Sequence, residues 1–331
     1  MVRKILKLLS GPALGHLLTI LLTPYFMSHY PPTQFGEYAF FIAMLGVFVS
    51  LSTLRFDAIL LICENREVTY LIRCACGAAL IMSSLIAFIS YMVGYGYSIY
   101  LLSSLFALSL QLIVTSFFLR EDKHSYSSAF NFLFIVMIPC AQWLFTHLEF
   151  RNGLLIGHAL ASMIYIIMAM PVLLINKVIA TDPKNYIAIK EIRYLFIKYK
   201  SYYTFNAISV FINALSNQLL PISLKIIYGS EVLGFVNILQ RLFITPVGFI
   251  LRIIIQAYNR EFSYHLRSNS IKKARLLFLK TISTSLIMAS MVLISFCLFI
   301  IFKNTILTIS FLAQQNSQWF EALNYAPMML I

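Results

Sequence analysis

Two arginines in an otherwise apolar segment are the residues of this 331-residue chain whose type and placement most clearly point to chemistry. Asn237, Arg241, Thr245, Gly248, Arg252 and Gln256 are spaced 4, 4, 3, 4 and 4. That spacing stacks them on one face of a helix whose other faces are Ile, Leu, Phe and Val. In the segment before it, Asn206, Ser209, Asn213, Asn217, Pro221 and Lys225 recur every three or four positions. The turn Tyr228-Gly229-Ser230-Glu231 joins the two. A narrow polar stripe with guanidinium groups on a greasy helix points inward, and net positive charge in such a place suits an anion.

The elements that carry these stripes are membrane spans. With 60% apolar and only 11% charged residues, there is too little polar surface to cover a soluble domain of this size. A helix of about 20 residues crosses the hydrocarbon. Nine such runs are predicted, at Ile5 to Met27, Tyr38 to Ile62, Leu71 to Val93, Tyr97 to Leu119, Tyr126 to His147, Gly153 to Ile175, Tyr203 to Tyr228, Val232 to Ala257 and Leu277 to Phe302. A tenth begins near Trp319. Long continuous runs exclude a strand barrel, which needs short alternating segments. The expected class is an all-α polytopic helical bundle.

Charge sets the orientation. The first run is longer than a signal-peptide core and leads into further membrane, so it stays as an anchor behind Arg3, Lys4 and Lys7. Nineteen of the 25 Lys and Arg residues fall on the side of the N-terminus, while Arg151 and Lys303 are alone on the other. By the positive-inside bias the N-terminus is cytoplasmic. The net charge of +13 therefore reports topology and does not suggest nucleic acid, whose binders gather basic residues on a folded surface. The stretch Tyr186 to Tyr203 reads as a basic amphipathic helix, with Ile189, Ile192, Phe196 and Tyr199 against Lys190, Arg193 and Lys200. It suits the anionic inner leaflet, or serves as a plain linker between bundles.

Arg55, Lys225, Arg241 and Arg252 are the basic residues left inside the bilayer, with Asp57 as the one acid among them. Each such charge costs roughly 2.5 to 3.5 kcal/mol at mid-helix, so it must face water or a partner. Lys225 and Arg252 lie within two turns of a helix end and have snorkelling or pairing open to them. Arg241 sits near the middle of its span and reads as lining a cavity. Residues two apart on a helix diverge, so Arg55 and Asp57 are not expected to pair. Asp57 is the one intramembrane acid that could titrate during a transport cycle.

Shorter polar stripes occur in other spans: Pro12, His16, Thr19 and Thr23; Ser50, Thr53 and Asp57; Ser104, Gln111 and Thr115; His158, Ser162 and Tyr165. Single Ser and Thr residues in such helices usually serve packing or helix-to-helix hydrogen bonds, and together they could line a wet path. His16 and His158 read as internal histidines. No metal-ligand spacing is present, no cofactor is expected, and the five cysteines read as small apolar residues.

The chain also repeats itself. Pro24, Gly36 and Arg55 are separated by 12 and 19 residues; Pro221, Gly234 and Arg252 by 13 and 18. An aromatic follows each glycine, at Tyr38 and Phe235. Six spans separate the copies, so both insert in the same direction. Two parallel-repeat six-helix bundles follow: an N-terminal bundle over 1–176, a cytoplasmic basic linker over 177–202, and an incomplete C-terminal bundle over 203–331.

Ser10-Gly11, Thr23-Pro24, the run His29 to Tyr38, and Leu54-Arg55-Phe56-Asp57-Ala58 resemble the opening of the polysaccharide-unit (O-antigen) flippase family of the multidrug/oligosaccharidyl-lipid/polysaccharide exporter superfamily. In the second copy, Tyr199 to Tyr203, Asn213 to Pro221, Gly234, Gln240-Arg241-Leu242 and Pro246 carry the same resemblance. His29, Pro12 and Thr204 depart from the family pattern, where Arg, Asn and Pro are usual. The family usually has twelve or more spans, so the sequence is expected to be truncated in its second bundle. The resemblance implies translocation of undecaprenyl-pyrophosphate-linked oligosaccharide across the bacterial inner membrane. No bond is made or broken in that process, and the neighbours implied are membrane lipids and the polysaccharide polymerase machinery. Arg241 and Arg55 would hold the diphosphate, with Asp57, Arg252, Lys225, Asn213 and Asn217 along the path. A multidrug exporter of the same superfamily is the alternative, although a cationic drug calls for lone buried carboxylates. A membrane glycan-assembly enzyme is a further one, and it would need catalytic acids on a sizeable external loop, where only Glu37, Glu149 and Glu231 are scattered.

Overall fold

The computed structural model describes residues 2–175, 189–241 and isolated positions between 272 and 294, and side chains over 14–173, 193–241 and those isolated positions. Arg252, Thr245, Gly248, Gln256, Cys297, the tenth run and most of the ninth lie outside the described residues. Eight long or amphipathic helices and one short one make up the rest: α1 (Val2–His29), α2 (Pro32–Ser52), α3 (Phe56–Ile59), α4 (Val68–Met92), α5 (Ser98–Arg120), α6 (His124–His147), α7 (Gly153–Ile175), α8 (Ile189–Lys198) and α9 (Ala207–Leu239). Among the described residues there is no strand, and six helices are long and apolar enough to cross a membrane. The protein is an all-α polytopic membrane protein. Leu80, Ile81, Phe88, Ile167 and Ile226 are among many large apolar side chains left exposed, an outer surface that lipid can cover and water cannot.

Local chemistry sets the ends of the helices. Pro31 is extended and Pro32 takes the first position of α2, where its missing N–H leaves no bond unmade. The tight reversals after α4, α5 and α6 pass through left-handed residues, Gly94 (φ 83°), Asp122 (φ 56°) and Glu149 (φ 58°), as is common where a helix is stopped just past its last turn. Within α9 the backbone breaks at Gly229 (φ 85°, ψ −179°), inside the turn expected from the sequence. α9 is therefore two helices in succession, one before and one after this residue.

The second expected span is not continuous. α2 stops at Ser52, and the chain turns through Leu54 (φ 46°) and Arg55 (φ 62°) before α3. The expectation that Arg55 and Asp57 diverge fails for this reason: the backbone between them is not regular helix. Arg55 donates to Asp57 Oδ2 at 3.3 Å, and Thr53 Oγ1 donates to Oδ1 at 2.8 Å.

Two apolar clusters hold the bundle. One gathers Leu71, Ile72, Leu110, Ile113 and Phe134 with Leu195 from α8 and Tyr199 just past its end. The other gathers Phe26, Phe35, Phe41, Leu101 and Leu154 with Phe235 and Ile238 from the second half of α9. α8 is thus docked onto the bundle by its apolar face, while Tyr194 and Ile197 remain exposed. Lys198 fastens it, reaching Glu64 Oε1 at 2.9 Å and Glu67 Oε1 at 2.7 Å, and the Tyr199 hydroxyl donates to Glu67 Oε2 at 2.8 Å. Burial and the Glu67 carboxylate push the Tyr199 hydroxyl up to about 12, so it remains a donor at neutral pH. Glu67 is only 5% exposed, which corrects the expectation that Asp57 is the one enclosed acid.

α2 and α9 form the most extensive helix pair. Gly36 faces the carbonyl of Ser230, and Gly234 faces the carbonyl of Pro32; a Cβ on either would lie within 2 Å of that oxygen (1.7 and 1.9 Å). Beside this crossing, Lys225 pairs with Glu37, and Ser230 Oγ touches both.

Candidate functional site

The site starts from Arg241, one turn beyond Asn237 and just past the C-terminal end of α9. α2 presents Phe35 and Tyr38, three residues apart and on one face, and the guanidinium carbon lies 5.9 and 5.0 Å from their ring centres. Among the described residues its buried Nη1 has no hydrogen-bond partner, nor does Oδ1 of Asn237. Among the described residues no carboxylate acts on Arg241. Stacking on aromatic faces contributes on the order of 1–2 kcal/mol, less than the roughly 2.5–3.5 kcal/mol that an enclosed cation costs in a bilayer. The free edge of the guanidinium therefore calls for an anion or water.

Tyr38 links this cation to the interior. Its hydroxyl lies 3.1 Å from Nδ1 of His158 on α7, and the imidazole packs edge-on against Phe41 with ring centres 5.5 Å apart. His158 is 3% exposed, yet its Nε2 has no partner among the described residues. α7 approaches α6 closely at Gly157, where a Cβ would meet the Gln142 backbone at 2.7 Å. Gln142 Nε2 donates to Leu154 O at 2.9 Å, and Thr146 Oγ1 donates to Gln142 O at 2.7 Å. Ser162 Oγ lies 2.9 Å from His158 O and 3.4 Å from Ser104 Oγ. A buried polar layer thus crosses α9, α2, α7, α6 and α5.

Most remaining hydroxyls return to their own helices. Thr19 donates to Gly15 O at 3.1 Å, Thr23 to Thr19 O at 2.8 Å and Thr115 to Gln111 O at 2.8 Å. Gln111 bonds Asn131 across α5 and α6. These are the packing and helix-to-helix roles that such residues usually have.

The expected site residues are not brought to one place. Arg55 stands beyond the far end of α2, 14 residues past Tyr38 at Ser52 and then through a turn, so about 20 Å separates it from Arg241 at 1.5 Å per residue. A single diphosphate held between them is corrected by this separation. Arg55 and Asp57 form their own pair, with side chains 26% and 9% exposed. Lys225 is committed to Glu37 and Ser230. Asn213 and Asn217 are exposed on the first half of α9, where the neighbouring Gln218 is the residue that faces α2, at Gly46. Arg252 lies outside the described residues.

Tyr38 and His158 are the functional candidates that the sequence reading did not select as site residues. Both had a signal: Tyr38 follows the repeat glycine, and His158 opens the stripe with Ser162 and Tyr165. Among the described residues no group of three metal-ligating side chains occurs, and the free cysteines Cys63, Cys74, Cys76 and Cys140 are dispersed. No family model, no curated protein and no solved structure matches the chain.

Proposed function

We propose that the protein is a flippase that carries a lipid-linked oligosaccharide, joined through a pyrophosphate to a polyprenyl chain, from the cytoplasmic to the outer leaflet of a bacterial inner membrane. The observation that carries this reading is the Arg241 guanidinium, stacked on Phe35 and Tyr38 with Nη1 buried and unsatisfied. A pyrophosphate diester supplies the missing acceptor, and the amide groups of Asn237 and Gln142 suit the adjoining sugar. Arg241 holds the charged group while the two bundles move; no covalent step is needed. Because Arg55 is occupied by Asp57, Arg241 acts without it.

The crossing at Gly36 and Gly234, with the Lys225 and Glu37 pair beside it, joins the bundles at one end. Opening toward that end requires these contacts to part. With the N-terminus in the cytoplasm, that end faces outward. A multidrug exporter fits less well, since Asp57 is neutralised by Arg55 and bonded by Thr53, leaving no free acid there for a cationic drug. Polysaccharide polymerase machinery is the expected neighbour.

The test is to delete the gene in its own host and determine which leaflet holds the lipid-linked oligosaccharide. Accumulation facing the cytoplasm, reversed by returning the chain, is expected. A normal leaflet distribution in the deletion strain, with no other gene compensating, contradicts the reading.

A further inference from the structure

Resting on the Arg241 anion site proposed above, we infer that His158 is a proton site linked to that anion, so that the protein takes up a proton when a diphosphate diester binds.

His158 is enclosed, with one nitrogen engaged by Tyr38 and Nε2 engaged by none of the described residues. A purely structural imidazole in a bilayer is expected to satisfy both nitrogens, and this one falls short in either tautomer. Tyr38 is shared: Arg241 lies over its ring at 5.0 Å, and the His158 ring centre is 5.9 Å from its own. Among the described residues, the ionisable and charged groups facing His158 are Tyr38 from α2 and, across it, Arg241 just past the end of α9. α5 contributes Ser104 through Ser162, and α6 contributes Gln142; neither titrates.

With Arg241 bare, a second positive charge on the far side of one phenol ring is opposed by repulsion and by loss of water. A bound diphosphate diester removes the repulsion and puts an attraction in its place. Its two negative charges more than neutralise the guanidinium, and an imidazolium on His158 becomes favourable. The proton comes from bulk water and settles on an imidazole nitrogen; no other bond changes. Linkage is reciprocal: if the anion draws in a proton, then lowering the pH must tighten the anion.

The test uses the full chain in lipid nanodiscs and, as probe, farnesyl diphosphate N-acetylglucosamine, a diester whose charge is constant over the pH range used. Affinity is measured between about pH 8 and pH 5.5, and proton uptake is measured by calorimetry in buffers of different ionisation heat. The expected wild-type result is affinity that rises as pH falls, by at most about tenfold per pH unit for one linked proton, with net uptake approaching one proton per anion. His158→Gln keeps an amide in reach of Tyr38 and should bind with the wild-type high-pH affinity at every pH. Wild-type binding without proton uptake overturns the inference, and needs no variant that folds. So does a pH dependence that survives in His158→Gln. Failure of the probe to bind, or binding unaffected by Arg241→Gln, instead removes the Arg241 reading on which it rests.

Discussion

Gly36 and Gly234 occupy equivalent positions in the two sequence copies and pack reciprocally, each against the carbonyl four residues before the other, at Ser230 and Pro32. Such mutual packing is what a local two-fold axis between the two helices produces. It also makes the two glycines intolerant of even a methyl group. Glycine to alanine in a helix is ordinarily favourable by about 1 kcal/mol, but here the obstructing atoms are backbone, and overpacking costs about 1–3 kcal/mol. Gly36→Ala and Gly234→Ala are each expected to lower the thermal midpoint in detergent. A raised midpoint in both would show that the helices do not cross this closely.

Lys225 and Glu37 are 188 residues apart in sequence and form an ion pair with side chains 21% and 29% exposed. A double-mutant cycle with Lys225→Met and Glu37→Gln should return a coupling energy within about 0.5–3 kcal/mol, the range seen for contacting residues. Strict additivity of the two changes would contradict the pairing.

The clamp on α8 has a defined pH window. Lys198 first and Arg66 second hold the Glu64 carboxyl below its ordinary 4.5, and Glu67 and Glu64 hold the Lys198 ammonium above its ordinary 10.5. A depressed carboxyl contributes its stabilisation fully above its ordinary value and loses it as pH falls through the folded one; a raised ammonium loses its contribution only as pH rises through its folded value. Hydrogen-exchange protection of α8, corrected for intrinsic rates, should therefore be flat from about pH 5 to about pH 9. Lys198→Ala should reduce that protection. Protection that changes steeply near pH 7 would point to some other fastening.

Much of the architecture was legible in the sequence because a bilayer restricts the choices: long apolar runs must be helices. Gly229 marked its own break, and the helical spacing of Asn237 and Arg241 identified the inward face. Partners were not legible. Tyr38 meets His158 over 120 residues of separation and Tyr199 meets Glu67 over 132, and periodicity within one helix says nothing of which neighbour lies opposite. The break at Leu54 and Arg55 was hidden for a different reason. Left-handed turns usually announce themselves with Gly or Asn, and here they use neither, so Arg55 and Asp57 were read onto a helix that does not continue.

The central claim is that Arg241 receives the charged group of the cargo, and the most direct measurement is translocation of a fluorescent polyprenyl diphosphate oligosaccharide in proteoliposomes. Arg241→Ala should lower the rate at equal protein level and fold, by about tenfold or more given the 1.5–3 kcal/mol of a hydrogen bond to a charged group. Arg241→Lys, which keeps the charge but not the planar fork, should retain part of it. An Arg241→Ala protein that translocates at the wild-type rate would contradict the account.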